Sequence, residues 1–401
     1  RAVLPEFFVF RFVMPPHTLY KDIYKLLSGG QLTLKLTNDA CVIRSLDHYK
    51  LPPEDKHIKS ITTSSMQVYD YLTESINKLA IRKQEAVVLL SGGLDSSVLS
   101  SICKKNSITK TSYSTGYSFE APEYNEEKKY AITAAQALAM DHHYYESTTP
   151  QYLTGFLESI SYAEEPLHHL QSVLFHLLFK NEIPSDKSIV IHGQGAGTTF
   201  GSNDTLYVHN KPLYRILSTR PSLMLIKSLS KISRRGKRLY RDVHNPVSKN
   251  GLSDPKNHIW SWMDYGNKQW VSRYFNITEN DIIRERYRFI KEFEPLSIND
   301  IWALYSFFGD EQVTLSIWTK IGEADRKILY LPYYDQTMLD YVFSIPWKLR
   351  LQPPESALRK ELARQANIPS FIINRSKLGF GVTPEHWGRK GSAFESLVPL
   401  A

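Results

Sequence analysis

The segment Ala86-Val-Val-Leu-Leu-Ser-Gly-Gly-Leu-Asp-Ser-Ser-Val-Leu99 decides the fold. Ala86 to Leu90 is an apolar run of strand length, rich in β-formers. Ser91-Gly92-Gly93 supplies a turn without side-chain bulk, where the backbone can approach a ligand closely. Val98, Leu99, Ile102 and Cys103 follow at helical spacing, with Lys104 and Lys105 beyond. A strand that passes through a glycine turn into a helix N-terminus builds an anion pocket, because unpaired backbone N–H groups and the positive end of the helix dipole face one point. The GxxxxGK(S/T) pattern of a Walker loop is absent from this stretch.

Working outward, 401 residues are enough for two domains or one large one. Apolar residues make up 42% and charged residues 22%, the balance of a globular chain that buries a core. No apolar stretch reaches the 18 or so residues of a membrane span, so no membrane partner is expected. Two cysteines, Cys41 and Cys103, give no disulfide framework, and a reducing, cytoplasmic setting fits. Much of the net charge of +8 sits between Lys227 and Arg241, in Lys231, Arg234, Arg235, Lys237 and Arg238. No stacking aromatics interleave with that run, so it reads as a solvated face and nucleic acid is not the expected partner.

Upstream, Leu32, Leu34 and Leu36 alternate with polar residues, which predicts a half-buried strand. Ser28-Gly29-Gly30 precedes that strand rather than a helix, so it reads as a hairpin turn and not as a second anion loop. Pro52 to Ser64 is polar and turn-rich, a linker. Met66 to Leu79 reads as a helix with Val68, Tyr69, Leu72, Ile76 and Leu79 on one face.

Downstream, Thr111 to Tyr117 predicts a second strand, Glu123 to Glu127 opens a helix burying Ala131, Ala134 and Leu138, and Asp141-His142-His143 leads a third strand. This βαβ rhythm predicts a parallel sheet with ligands at the carboxyl ends of its strands. His142 and His143 are also candidate metal ligands by residue type, without a motif to support them. Ser188-Ile-Val-Ile-His-Gly-Gln-Gly-Ala-Gly-Thr-Thr-Phe-Gly201 repeats the passage from short strand to glycine-rich turn, where backbone N–H groups meet an adenylate or phosphate. Residues 202 to about 290 carry no motif, and Trp260, Trp262 and Trp270 are expected to pack a helical layer.

The elements together resemble a known family. Ser91 to Ser96 matches the SGGxDS signature of the PP-loop ATP pyrophosphatases. Leu331-Pro-Tyr-Tyr-Asp335 and Lys377-Leu-Gly-Phe-Gly-Val-Thr-Pro-Glu-His-Trp387 resemble the VPFLD and KxGFGxPxxxW elements of the asparagine synthetases, whose relatives include β-lactam synthetases and lasso-peptide cyclases. The resemblance runs from about Met14 to Trp387, with Pro384 one position late.

It implies an α/β fold: a PP-loop (adenine-nucleotide α-hydrolase-like) parallel sheet flanked by helices, a helical C-terminal part, and the remnant of an N-terminal β-rich glutaminase-like domain. The implied domains are 1–50, the end of an Ntn-type glutaminase-like domain; 51–65, a linker; and 66–401, the synthetase domain. In the family the glutaminase nucleophile is an amino-terminal cysteine. Position 1 here is Arg, so either an upstream domain lies outside this sequence or glutamine is not hydrolysed.

The resemblance implies ATP and Mg2+, with Ser91, Gly92, Gly93, Ser96 and Ser97 on the pyrophosphate and Asp95 on both nucleotide and metal. Ser114, Thr115 and Gly116 would line the nucleotide pocket, with Gly193 and Gly195 of the second loop beside it. Lys377 and, further upstream, Lys360 would be the catalytic lysines. Glu165-Pro166 resembles the family's Glu-Pro element and reads equally as a helix cap or turn.

Two departures stand out. The second loop resembles GEGxDExxGG but carries Gly197-Thr198 in place of the acidic pair, and the family's catalytic Glu, four residues before Pro332, is replaced by Ile328. Glu323 and Asp325 are nearby but displaced. The implied activity is ATP-dependent amide formation between a small-molecule or peptide carboxylate and ammonia or an amine. An intramolecular or peptide cyclase and a nucleotide binder without turnover are the alternatives. A homodimer is compatible with each.

Overall fold

The computed structural model describes residues 3–36, 41–118, 122–201, 219–230, 259, 268–292, 298–352 and 356–375. Lys377 with the rest of its element, Trp260, Trp262 and most of the basic run lie outside them. The chain divides into two compact units, Arg1–Lys50 with Gly201–Val313, and Leu51–Phe200 with Thr314–Ala401.

In the first unit, α1 (Val3–Phe10) precedes an antiparallel hairpin of β1 (Gln31–Leu36) and β2 (Cys41–Asp47). A fully buried ion pair organises it. The Arg286 guanidinium donates from Nε to Glu6 at 2.7 Å and from Nη2 to the Phe12 carbonyl at 2.9 Å. It also lies 3.9 Å from the Phe10 ring centroid and 4.2 Å from that of Phe12. Burial raises the Glu6 pKa despite Arg286. Glu6, the Phe12 carbonyl, the Tyr305 hydroxyl on Nη1 and the aromatic faces together satisfy an arginine that is fully buried.

Three expectations need correction here. Leu32, Leu34 and Leu36 are exposed, as is all of β1, because the strand pairs with one neighbour and no layer covers its leucines among the described residues. Ser28 to Gly30 is a tight turn, with Gly29 at φ 65° and the Gly30 N–H donating to the Leu27 carbonyl at 2.8 Å, but it enters β1 rather than joining β1 to β2. Trp270 is also a surface residue, stacked on Tyr274, rather than part of a packed layer.

The second unit is a five-stranded sheet of β3 (Ala86–Leu89), β4 (Thr111–Tyr117), β5 (Asp141–Ser147), β6 (Ile189–Ile191) and β7 (Ile328–Tyr330), in the order β5-β4-β3-β6-β7. Every pairing is parallel. The chain leaves β3 toward β4 and β5, then returns to β6 on the other side, so the topological switch point lies between β3 and β6. All four residues of β3 are buried, as a central parallel strand requires.

The helices are α2 (Ile61–Asn77), α3 (Leu94–Lys105), α4 (Pro122–Ala137), α5 (Thr149–Ala163), α6 (Ser172–Asn181) and α7 (Ala196–Phe200). α2 begins at Ile61, inside the polar stretch that reads as linker, because Ser60 caps it by accepting from the Thr63 N–H. Ala131 and Ala134 of α4 are buried as expected. Val68, Leu72 and Ile76 of α2, Leu99 and Ile102 of α3, and Leu358 and Leu362 of the helix Ala357–Gln365 share one core with Val88 and Ile191. Each such side chain contributes about 1.5–3 kcal/mol by burial. Among the described residues, no helix is long and apolar enough to cross a membrane.

His176 of α6 is fully buried between two carboxylates, with Nδ1 2.7 Å from Asp325 and Nε2 2.6 Å from Glu158. Both ring nitrogens donate only as imidazolium. Burial works against that charge, but the hydrogen bonds to Asp325 and Glu158 outweigh it and raise the His176 pKa. The resulting stabilisation is complete below the unfolded value near 6.5 and fades as pH rises through the higher folded value. His176→Leu should therefore cost roughly 3 kcal/mol at pH 6. Chemical denaturation at rising pH should show the difference from the unaltered protein shrinking; a gap that widens with pH would contradict the assignment.

Candidate functional site

β3 ends at the switch point and its chain turns through Ser91, Gly92 and Gly93 into α3. Gly92 sits at φ 69°, and a Cβ there would stand 2.5 Å from the Tyr130 carbonyl oxygen, so both conformation and space demand glycine. Serines fasten the turn. Ser96 Oγ accepts from the Ser91 N–H at 3.2 Å, lies 3.1 Å from Ser91 Oγ and reaches the Gly93 carbonyl at 3.3 Å. Ser91 Oγ accepts from the Gly93 N–H at 3.3 Å.

Gly93 is the N-cap of α3 and has no side chain to cap it. The first-turn N–H groups thus have no side-chain cap at the positive end of the dipole, the arrangement that suits an anion. Ser97, in the same turn, is fully buried and its Oγ has no hydrogen-bond partner among the described residues. A buried hydroxyl without a partner is the exception that calls for a ligand or a functional account.

The second loop meets the first. A Cβ on Gly193 would lie 3.1 Å from the Ser96 nitrogen, so the backbone after β6 runs against the start of α3. Gly195, at φ 102°, is overlaid by the Tyr334 ring. Tyr333 donates its hydroxyl to the Asp95 carbonyl at 3.1 Å. The Leu331–Asp335 element thereby packs against both loops, while Asp335 caps the next helix through the Thr337 N–H and pairs with Lys78 at 2.6 Å. His192 heads this loop, accepting from the Gln194 N–H at 2.9 Å, and burial pulls its pKa down to about 4.

On β4, Ser114 Oγ donates to the Leu90 carbonyl and holds the end of β3, Thr115 Oγ1 is buried without a partner among the described residues, and Gly116 leaves room for the Tyr144 hydroxyl. His142 bonds Ser112 Oγ at 2.9 Å, with its pKa lowered by burial to about 4. Glu165-Pro166 follows the left-handed C-cap Glu164 of α5.

The residue that sequence reasoning missed is Arg359. Its guanidinium grips Asp95 with a fork, Nε to Oδ1 at 2.9 Å and Nη2 to Oδ2. Both carboxylate oxygens accept from Arg359 and the charge is neutralised, so Asp95 as arranged does not fit a resident magnesium ion. The signal was a face: Arg359, Ala363 and Ala366 fall at i, i+4 and i+7, and all three are buried. An arginine on a buried stripe implies a carboxylate partner. Lys360 is the next residue on that helix, turned about 100° from Arg359 and half-buried.

Arg375 pairs with Glu127 and stacks 4.0 Å over the Tyr130 ring, the residue whose carbonyl faces Gly92. The chain just before Lys377 is therefore tied down close to the first loop. Gly197 has open space where a side chain would stand. Ile328 is half exposed at the start of β7. Asp325 is bonded to His176 before β7, at the amino end of the sheet and away from the loops, and Glu323 is exposed.

The asparagine synthase model matches residues 67–291 and 329–398. This chain belongs to the asparagine synthase family. It is 22% identical over 395 residues to a glutamine-hydrolyzing asparagine synthetase 1 of Bacillus subtilis (strain 168), covering 96% of this chain and 60% of that one. A putative glutamine-hydrolyzing asparagine synthetase of Mycobacterium tuberculosis (H37Rv) is 24% identical over 415 residues, with 98% and 59% covered. The chain thus spans about 60% of the length of the curated relatives it matches. A solved structure of an NMN synthetase from Francisella tularensis aligns over 67% of this chain and 97% of that chain, at 13% identity and a TM-score of 0.28.

Ser97→Ala removes a hydroxyl that makes no bond among the described residues, so thermal stability should be unchanged or raised. Pyrophosphate or ATP affinity by calorimetry should fall about tenfold, the loss expected for a hydrogen bond to a charged oxygen. Equal affinity would remove Ser97 from the site.

Proposed function

We propose that the chain is an ATP-dependent, AMP- and pyrophosphate-forming ligase that makes an amide bond. The observation that carries this reading is the meeting of two glycine loops, from the adjacent strands β3 and β6, at the uncapped start of α3 in a chain of this family. ATP binds with its terminal phosphates on the amides of Leu94 to Ser96, against the Gly93 backbone, and on the Ser96 and Ser97 hydroxyls. Its adenosine lies toward Ser114 to Gly116 and the second loop.

An oxygen of the acceptor carboxylate attacks the α-phosphorus, and the bond to the bridging oxygen of the β-phosphate breaks. Pyrophosphate leaves onto the α3 N-terminus. The lone pair of ammonia or an amine then attacks the acyl carbon, the acyl–phosphate C–O bond breaks, the nitrogen gives up a proton, and AMP departs. Lys377 supplies positive charge to the phosphates and reacting carbonyl in the transition state. Magnesium belongs to the nucleotide as it arrives.

A second reading concerns the acceptor, which would be a peptide or amino-acid derivative closed on itself rather than free aspartate. It is favoured by Ile328 at the position of the family's catalytic Glu, with Asp325 committed to His176 at the far end of the sheet.

ATP–pyrophosphate exchange tests both. Exchange dependent on aspartate supports asparagine formation, and dependence on a peptide or amino-acid derivative supports the cyclase reading. ATP binding with no exchange for any acceptor would overturn catalysis altogether. Lys377→Gln should lower exchange roughly 100-fold, the scale of losing one oxyanion-stabilising group, while leaving ATP bound. An unchanged rate would remove Lys377 from the chemistry.

A further inference from the structure

Asp95 and Arg359 are 264 residues apart in sequence and joined by a two-pronged ion pair, with Arg359 buried and the Asp95 side chain only 21% exposed. Asp95 lies in the first turn of α3, between the N–H groups that face the ligand and the hydroxyl of Ser97. A bare carboxylate there would repel an incoming polyphosphate, and the fork removes that repulsion. The helix bearing Arg359 is fixed against α3 through Leu358 and Leu362 in the shared core and by Ser101 Oγ donating to the Ala366 carbonyl at 2.8 Å. The guanidinium is therefore held beside the loop by rigid packing rather than by a long mobile strand of surface chain.

We propose that Arg359 is a phosphate-binding residue of this loop, held on Asp95 until the anion arrives. Carboxylate and phosphate present the same paired oxygens to a guanidinium, so the fork transfers from one to the other without change of shape. Asp95 and the anion compete for the same two donors, so the carboxylate sets how tightly the anion is held. With Gly197 contributing no side chain and open space beside it, the positive charge on this side of the site comes from an arginine instead of from a metal held between two loop carboxylates. This inference rests on the reading of the Ser91–Ser97 loop as a pyrophosphate site.

The test is calorimetric titration of inorganic pyrophosphate, with EDTA and with excess magnesium, into the unaltered protein, D95N, D95N/R359Q and R359K, each checked for folding by its thermal melt. D95N removes the charge that competes for the fork, so it should bind pyrophosphate in EDTA about tenfold more tightly than the unaltered protein, and D95N/R359Q should lose that gain. R359K keeps the ion pair but not the fork, and should bind about tenfold more weakly than the unaltered protein in magnesium. D95N no tighter than the unaltered protein in EDTA, or D95N/R359Q equal to D95N, overturns the proposal. If D95N does not fold, R359K decides, and binding equal to the unaltered protein overturns it. Failure of the unaltered protein to bind pyrophosphate in magnesium would overturn the ligase reading itself along with this inference.

Discussion

The start of α3 is an N-terminus left without a side-chain cap at the centre of a parallel sheet. Its first-turn amides have no capping side chain, so their acceptors must come from outside the helix, from water or from a ligand. The surroundings serve that turn. Gly92 takes a positive φ against the Tyr130 carbonyl because nothing larger fits, Ser91 and Ser96 tie the loop across itself, and Tyr333 anchors the Asp95 carbonyl. β6 brings the second glycine loop alongside because the sheet reverses its order there. Fixed backbone dipoles are thereby gathered at the carboxyl ends of β3 and β6.

The parts of this arrangement that local chemistry dictates could be read in the sequence. The all-apolar β3, the glycine turn and the helical spacing of Val98, Leu99 and Ile102 specify strand, loop and helix within fourteen residues. The βαβ rhythm that follows leaves a parallel sheet as the economical solution. Gly193 and Gly195 could be named because glycine after a short buried strand means close backbone approach, and both do approach, one to Ser96 and the other to Tyr334.

Arg359 could not be named, because its meaning depends on a carboxylate 264 residues away. Its neighbour Lys360 drew attention through the family pattern, whereas the buried stripe Arg359–Ala363–Ala366 carried the physical signal. The hairpin failed differently. Alternation in Leu32, Leu34 and Leu36 fixes which side of a strand they share, but not whether anything covers that side. Lys377 is legible from its motif alone and lies outside the described residues.

The acidic chemistry of the site is more concentrated than in the family pattern. One loop carboxylate, Asp95, faces one guanidinium, while Gly197-Thr198 and Ile328 hold the places of three acids. On the proposed function, ATP would be recognised by backbone, hydroxyls and arginine, and the identity of the acceptor would depend on residues that no motif marks. The central claim, that the loop from Ser91 to Ser97 receives the phosphates of ATP, is most directly tested by amide hydrogen exchange with and without magnesium-ATP. Protection centred on residues 92–97 and on the facing Gly193–Gly195 segment is the expected result. Unchanged exchange across both loops at saturating nucleotide would contradict it.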